Sequence, residues 1–69
     1  MINGKLKWYN PVKGFGFITP EGGAKDIFVH ISEFKKAGIS EDSLQEGMDL
    51  SFDEMDFRGK TVAGNLKKV

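Results

Sequence analysis

The sequence contains no cysteine and a single histidine. The absence of cysteine excludes a disulfide, a zinc–thiolate site and a thiol nucleophile, and one histidine alone cannot form a multi-histidine metal cluster. No apolar run approaches the roughly 20 residues of a membrane-spanning helix. The N-terminal residues also lack the apolar core of a signal peptide. We therefore expect a cytoplasmic protein with no metal, no cofactor and no membrane association.

The sequence also has no excess charge, because ten basic residues balance ten acidic ones. A net charge of zero is not the strongly basic balance of a duplex-DNA binder. The distribution is uneven, since the first 20 residues contain Lys5, Lys7 and Lys13 but no acid, while acids cluster in the later part. At 69 residues, the chain is expected to form one domain, residues 1–69, with a small core.

Glycine and phenylalanine alternate within residues 13–18. Successive side chains of a strand point to opposite faces, so Phe15 and Phe17 share one face while Gly16 and Ile18 share the other. Ile18 suits a protein core. Two rings beside the cation Lys13 suit a ligand that is flat and negatively charged.

Residues 27–31 repeat this scheme. Ile27 and Val29 fall on one face, with Ile31, and Phe28 and His30 fall on the other. Both sets of side chains cannot fill one small core, so the rings are predicted to lie outside it. A sheet that exposes rings in this way indicates a binding surface.

The strand and turn signals predict a small all-β barrel. Strands are predicted over residues 5–9, 14–19, 26–31, 48–55 and 61–67, and the first three form an antiparallel meander because short turns join them. Residues 32–38 predict a single helical turn with Ser32 as its N-cap and Gly38 at its C-terminus. A second turn is predicted over residues 40–43, and residues 20–23 carry a strong turn signal.

Several side chains are assigned to the interior of this barrel. Phe34 and Phe52 are assigned to packing, and Leu44 is predicted to close the barrel from below. In the last strand, alternation places Val62, Gly64 and Leu66 inward.

The sequence closely resembles the bacterial cold-shock protein family. The matching motifs are Gly-Lys-Leu-Lys-Trp-Tyr-Asn at residues 4–10, Lys-Gly-Phe-Gly-Phe-Ile at 13–18 and Asp-Ile-Phe-Val-His-Ile-Ser at 26–32, with further matches at 46–47 and 63–66. The resemblance implies a five-stranded antiparallel OB-type β-barrel with a short helical turn after the third strand. It also implies binding of single-stranded RNA and DNA with little sequence selectivity. The role it implies is that of an RNA chaperone in the cold-shock response, with effects on transcription antitermination or translation.

The sequence departs from the family pattern at several places, of which three concern the predicted site. Ile31 and Ile39 stand where the family often has aromatic residues, so stacking platforms are lost there. The turn at residues 57–61 lacks the family's usual Gly-Pro and supplies an aromatic, a guanidinium and a lysine instead. We hypothesise that Phe57 or Arg58 compensates for the lost rings.

The predicted nucleic-acid contacts fall into two groups. Rings on the outer face stack on bases, a contact worth roughly 1–3 kcal/mol per base, and cations neutralise phosphates. The stacking residues are Trp8, Phe15, Phe17, Phe28 and His30, the cations are Lys7, Lys13, Arg58 and Lys60, and Ile31 and Phe57 complete the predicted site.

Two other functions are weighed against this interpretation. The ring face of a small barrel also suits a docked peptide, but interleaved lysines favour nucleic acid. An enzymatic function is a remote alternative. The sequence contains no dinucleotide-binding fingerprint, no phosphate-binding loop and no Ser-His-acid spacing, and no catalytic residue is predicted. We expect a monomer, because no apolar surface is left for a second subunit once the outward rings are assigned to nucleic acid.

Overall fold

The chain forms five strands and one short helix within the residues that the computed structural model describes, 1–22 and 25–69. The turn predicted over residues 20–23 therefore ends at a residue outside the described ones. In chain order the elements are β1 (Ile2–Asn10), β2 (Phe15–Pro20), β3 (Ile27–His30), α1 (Ile31–Lys36), a 3-10 turn (Glu41–Ser43), β4 (Asp49–Phe57) and β5 (Lys60–Lys68).

The strands close into a barrel in the order β1-β2-β3-β5-β4. The pairs β1–β2, β2–β3, β4–β5 and β1–β4 are antiparallel, as the sequence predicts. The remaining pair, β3–β5, is parallel and aligns Phe28 with Val62. The chain between these two strands includes α1 and β4, so it is long enough for the crossover that a parallel pair requires. Closure leaves no open sheet edge.

Helix α1 begins two residues earlier than the predicted N-cap at Ser32 implies. Its N-cap is His30, whose Nδ1 accepts a hydrogen bond from the backbone N–H of Ser32 at 3.1 Å, so the assignment of Ser32 as N-cap was wrong. At the other end, Gly38 has a φ of +74° and Ile39 donates its N–H to the carbonyl of Phe34 at 2.9 Å. This arrangement is a Schellman motif, and it buries Ile39 against the core.

The barrel interior is filled by aliphatic side chains and two phenylalanines. Phe34 and Phe52 are completely buried, which confirms their assignment to packing, and Leu44 packs partly buried against the core. The core consists of Leu6, Ile18, Ile27, Val29, Phe34, Ile39, Leu50, Phe52, Ala63 and Leu66.

A β-bulge in the β4–β5 pair changes which residues of β5 face inward. Ser51 pairs with Lys67 and Asp53 pairs with Gly64, so two residues of β5 oppose one residue of β4. An extra residue of this kind reverses the side-chain alternation beyond it. Ala63 therefore joins the core in place of Val62, and the prediction that Val62 points inward was wrong.

We predict that Gly16→Ala destabilises the barrel. A Cβ at this position would lie 2.5 Å from the carbonyl oxygen of Trp8 and 3.1 Å from the Cα of Tyr9. Both contacts are with backbone, so β1 and β2 must separate, and we expect the free energy of unfolding to fall by about 1–3 kcal/mol. Chemical denaturation followed by circular dichroism measures this change.

The matched control is Lys67→Ala, an exposed position near the end of β5. This control should unfold like the wild-type protein. Equal stability of the two variants would contradict the close approach of β1 to Gly16.

Candidate nucleic-acid interface

Four aromatic rings form one contiguous cluster, called the ring face below: Trp8, Phe15, Phe17 and Phe28. The ring centroid of Trp8 lies 5.7 Å from that of Phe15 and 5.1 Å from that of Phe17. Phe28 lies 5.3 Å from Phe15 at an interplanar angle of 27°, and 5.9 Å from Phe17. All four residues are half-buried and none belongs to the core. This placement confirms the prediction that the phenylalanines of β2 and β3 lie outside the core.

Trp8 joins the ring face because β1 contains a β-bulge. Leu6 pairs with Ile18 and Trp8 pairs with Phe17, so Lys7 is an extra residue in β1. Strict alternation would place Trp8 on the same face as the buried Leu6. The bulge turns Trp8 outward beside Phe17 and lets the next residue, Tyr9, pack against the core.

The loop between β1 and β2 contains Lys13, two residues before Phe15 of the ring face. The Asn10 side-chain oxygen accepts hydrogen bonds from the backbone N–H groups of Val12 and Lys13, at 3.0 and 3.1 Å. This Asx-type turn orders the loop, and Gly14 then adopts a φ of +76° to enter β2. Lys13 is exposed, and within the described residues no carboxylate lies within ion-pair distance of it.

His30 lies next to the ring face at the end of β3, where it pairs with Phe15. Its Nδ1 accepts the N–H of Ser32, so the neutral ring carries its hydrogen on Nε2. The capping bond thus fixes the tautomer of an exposed imidazole and leaves Nε2–H as a donor. This geometry fits the predicted role of His30 in stacking and donating one hydrogen bond.

Lys7 is engaged by a carboxylate at the edge of the ring face. Its Nζ lies 2.8 Å from Oδ2 of Asp26, and the Thr19 hydroxyl donates to Oδ1 of Asp26 at 2.9 Å. The hydrogen bond from Lys7, and then the one from Thr19, lowers the pKa of Asp26 below its usual value of 3.8. The carboxylate is therefore ionised at neutral pH, and the bonds to it are lost only as the pH falls through that lowered value.

The β4–β5 turn places Phe57, Arg58 and Lys60 at the far side of the ring face. Phe57 is 60% exposed, and the Arg58 guanidinium carbon lies 5.4 Å from the centroid of its ring. A groove of about 430 Å³ connects these residues to Phe17 and Phe28.

Ile31 and Ile39 are the two positions at which the sequence predicts a lost stacking ring. Ile31 begins α1 and packs partly buried against the core, and Ile39 is itself a core residue. The backbone N–H of Ile31 donates to the carbonyl of Gly14 at 2.9 Å, so Ile31 adjoins the start of β2 and its place in the nucleic-acid site stays a prediction. Neither isoleucine offers a platform in place of an aromatic ring.

Two residues of the interface were missed by sequence reasoning. Asp26 lines the groove beside Phe17, and Val62 lies between Phe28 and Phe57. The sequence feature that could have indicated the outward position of Val62 is Asn65. Asparagine tolerates a positive φ, and Asn65 adopts a φ of +50° at the bulge that reverses the alternation of β5. Asp26 carries no such signal, because its partner Lys7 is distant in sequence.

A closed five-stranded barrel with rings on its outer face is the architecture of OB-type nucleic-acid-binding domains. Residues 2–69 match the 'Cold-shock' DNA-binding domain family. The chain belongs to this family, as the sequence motifs predict. The family binds nucleic acid and is not enzymatic, so the prediction of a non-enzyme is confirmed.

Curated relatives cover almost the whole chain. The cold shock-like protein CspA of Rickettsia bellii is 52% identical over 66 residues, which is 96% of this chain and 91% of the relative. The probable cold shock protein y4cH of Sinorhizobium fredii is 45% identical over 69 residues, 97% of each chain. The cold shock-like protein CspC of Shigella flexneri is 41% identical over 68 residues, 99% of this chain and 96% of the relative.

The part of the chain that the structure describes contains no group of three or more His, Cys, Asp or Glu residues arranged to hold a metal ion. Across these same residues, no helix has the length and apolar character needed to cross a membrane.

We predict that Asp26→Asn strengthens binding to a single-stranded oligonucleotide. The substitution removes a negative charge beside the ring face and releases Lys7 for a phosphate, while an amide oxygen still accepts the Thr19 hydrogen bond. The slope of log affinity against log salt should steepen by about 0.7, the value for one added phosphate contact on a single strand. Fluorescence titrations at several salt concentrations measure this slope.

The matched control is Asp49→Asn, which releases Lys5 from an ion pair of the same 2.8 Å length, more exposed than Lys7–Asp26, on the β1–β4 side of the barrel. This control should leave both affinity and salt slope unchanged. Equal effects of the two substitutions would show that Lys7 has no specific place in the interface.

Proposed function

We propose that this protein binds single-stranded RNA and DNA with little sequence selectivity by stacking unpaired bases on the ring face. One observation carries this proposal: four rings contact each other outside a core that is already full. Such a cluster is costly in water unless a ligand covers it. Every base has a flat face, so stacking tolerates any sequence.

The ring face favours single strands over duplexes. In a duplex the faces of the bases are already stacked on each other, whereas an unpaired base exposes both faces to a ring. The nearest cations are few, since Lys13 is free within the described residues while Lys7 is held by Asp26. Stacking then supplies most of the affinity, and charge supplies little. A duplex therefore binds weakly, because its base faces are not available for stacking.

The consequence for RNA is passive chaperone activity. A protein that binds only the open strand shifts a hairpin equilibrium toward that strand without an energy source. At a protein concentration of 100 times Kd, the open strand is stabilised by about 2.7 kcal/mol per site. We propose that this shift melts secondary structure in the cold-shock response, with effects on transcription antitermination and translation.

We further propose that the chain acts as one cytoplasmic domain and as a monomer. With the ring face assigned to nucleic acid, the remaining exposed large apolar side chains of the described residues are scattered along the chain: Met1, Val12, Met55, Phe57 and Val69. Met55 and Phe57 line one groove with Phe28, and among the described residues this leaves too little exposed apolar surface for a stable dimer, which buries roughly 800 Å² on each partner.

A fluorescence titration tests the proposed function, because Trp8 is the only tryptophan and lies within the ring face. Oligothymidine should quench Trp8, and duplex DNA at the same concentration should not. Phe15→Ala and Phe28→Ala should each weaken oligothymidine binding by roughly 1–3 kcal/mol with the fold retained, because each removes a stacking platform.

Phe15→Leu separates stacking from general apolar contact, since leucine keeps most of the apolar surface but has no π face. Wild-type affinity in both alanine variants would contradict stacking on the ring face. Quenching by a peptide but not by oligothymidine would favour the alternative of a protein-interaction barrel.

A further inference from the structure

The turn between β4 and β5 carries an exposed ring that the ring face does not include. We propose that Phe57, Arg58 and Lys60 form an added nucleotide-binding position, at which one further base of the bound single strand stacks on Phe57. This inference rests on the proposed function and extends it to the β4–β5 turn.

The turn holds its ring and its cations in a defined geometry. Arg58 and Gly59 have φ values of +50° and +78°, so they form the two left-handed positions of a tight hairpin turn. Phe57 pairs directly with Lys60 across this turn. Directly opposed residues of an antiparallel pair place their side chains on the same face, so the ring and the ammonium group leave the barrel side by side.

The Arg58 guanidinium covers only one side of the Phe57 ring. Its central carbon lies 5.4 Å from the ring centroid, which is a cation–π contact. With 60% of Phe57 exposed, the ring still offers a surface to a base. A ring with a guanidinium and an ammonium group beside it matches a nucleotide, which presents a flat base and an anionic phosphate.

The added position is continuous with the ring face. The groove of about 430 Å³ is lined by Phe17 and Phe28 on one side and by Phe57, Arg58 and Lys60 on the other. Val62 lies between the two sides, where it pairs with Phe28. A strand stacked on Phe28 can therefore cross Val62 and reach Phe57 without leaving the surface.

The charged residues lining the two neighbouring grooves favour the groove beside Arg58 and Lys60 as the path of the bound strand. A second groove of about 490 Å³ lies against the same three residues, Phe28, Val62 and Phe57. His30 also lines it, together with the acids Glu33 and Asp56. These two carboxylates repel a phosphate. In the first groove, Asp26 is the acid of the lining and is paired with Lys7, so Arg58 and Lys60 dominate the charge there.

The test is a length series of oligothymidines, extended one nucleotide at a time and titrated by Trp8 fluorescence. Phe57→Ala should bind the short members like the wild type, because they fit on the ring face alone. Once the strand is long enough to reach the turn, Phe57→Ala should bind roughly 5- to 150-fold more weakly, the loss of one stacked base. Arg58→Gln and Lys60→Gln should each lower the salt slope by about 0.7 for long members only.

Met55→Ala is the matched control, because Met55 is also exposed near the end of β4 but lines the acidic groove. It should bind every length like the wild type, and thermal unfolding should show that both variants fold. Phe57→Leu should behave like Phe57→Ala for long members, because the π face is lost in both.

The outcomes separate this inference from the proposed function. If short members bind and Phe57→Ala matches the wild type at every length, the added position is refuted while stacking on the ring face stands. If Met55→Ala shows the length-dependent loss instead, the strand follows the acidic groove and the inference is wrong. If no member of the series binds the wild-type protein, the proposed function itself fails.

Discussion

The outward position of the rings depends on a barrel interior that has no room for them. Small barrels are filled by their own side chains, and here Ile18, Val29 and Leu50 are completely buried. Because a strand alternates its faces, filling the inside with the aliphatic residues of β2 and β3 forces their phenylalanines outside. The same packing that stabilises the fold therefore creates the binding surface, and the rings contact each other because no other apolar group covers them.

Charged residues adjust the potential around the ring face, but the ring face itself results from packing. A net charge of zero leaves no general attraction for the phosphate backbone. The Asp26 carboxylate pairs with Lys7, while Arg58 and Lys60 of the β4–β5 turn supply positive charge to the groove beside Phe17 and Phe28. We propose that this arrangement favours an unpaired strand, whose bases would reach the rings while its phosphates stay near the cations.

The sequence predicts the parts of this arrangement that follow from regular alternation, and misses the parts that depend on irregular backbone. The strands, the buried phenylalanines and the outward rings of β2 and β3 all follow from alternation. The outward turn of Trp8 and the outward position of Val62 depend on β-bulges. Of the two bulges, the one in β1 carries no local signal, and the one in β5 is marked only by Asn65, whose φ is positive. The capping role of His30 and the burial of Ile39 depend likewise on how α1 begins and ends. The fold was therefore predictable from the sequence. The positions of Trp8 and Val62 at the edges of the candidate site became clear only from the structure.

The most direct test of base stacking is an NMR spectrum of the complex with oligothymidine. Nuclear Overhauser effects should connect thymine base protons to the ring protons of Trp8, Phe15, Phe17 and Phe28. Base protons that approach only the acidic side of β4, with the four rings unperturbed, would contradict the claim that this barrel binds unpaired bases on its outward rings.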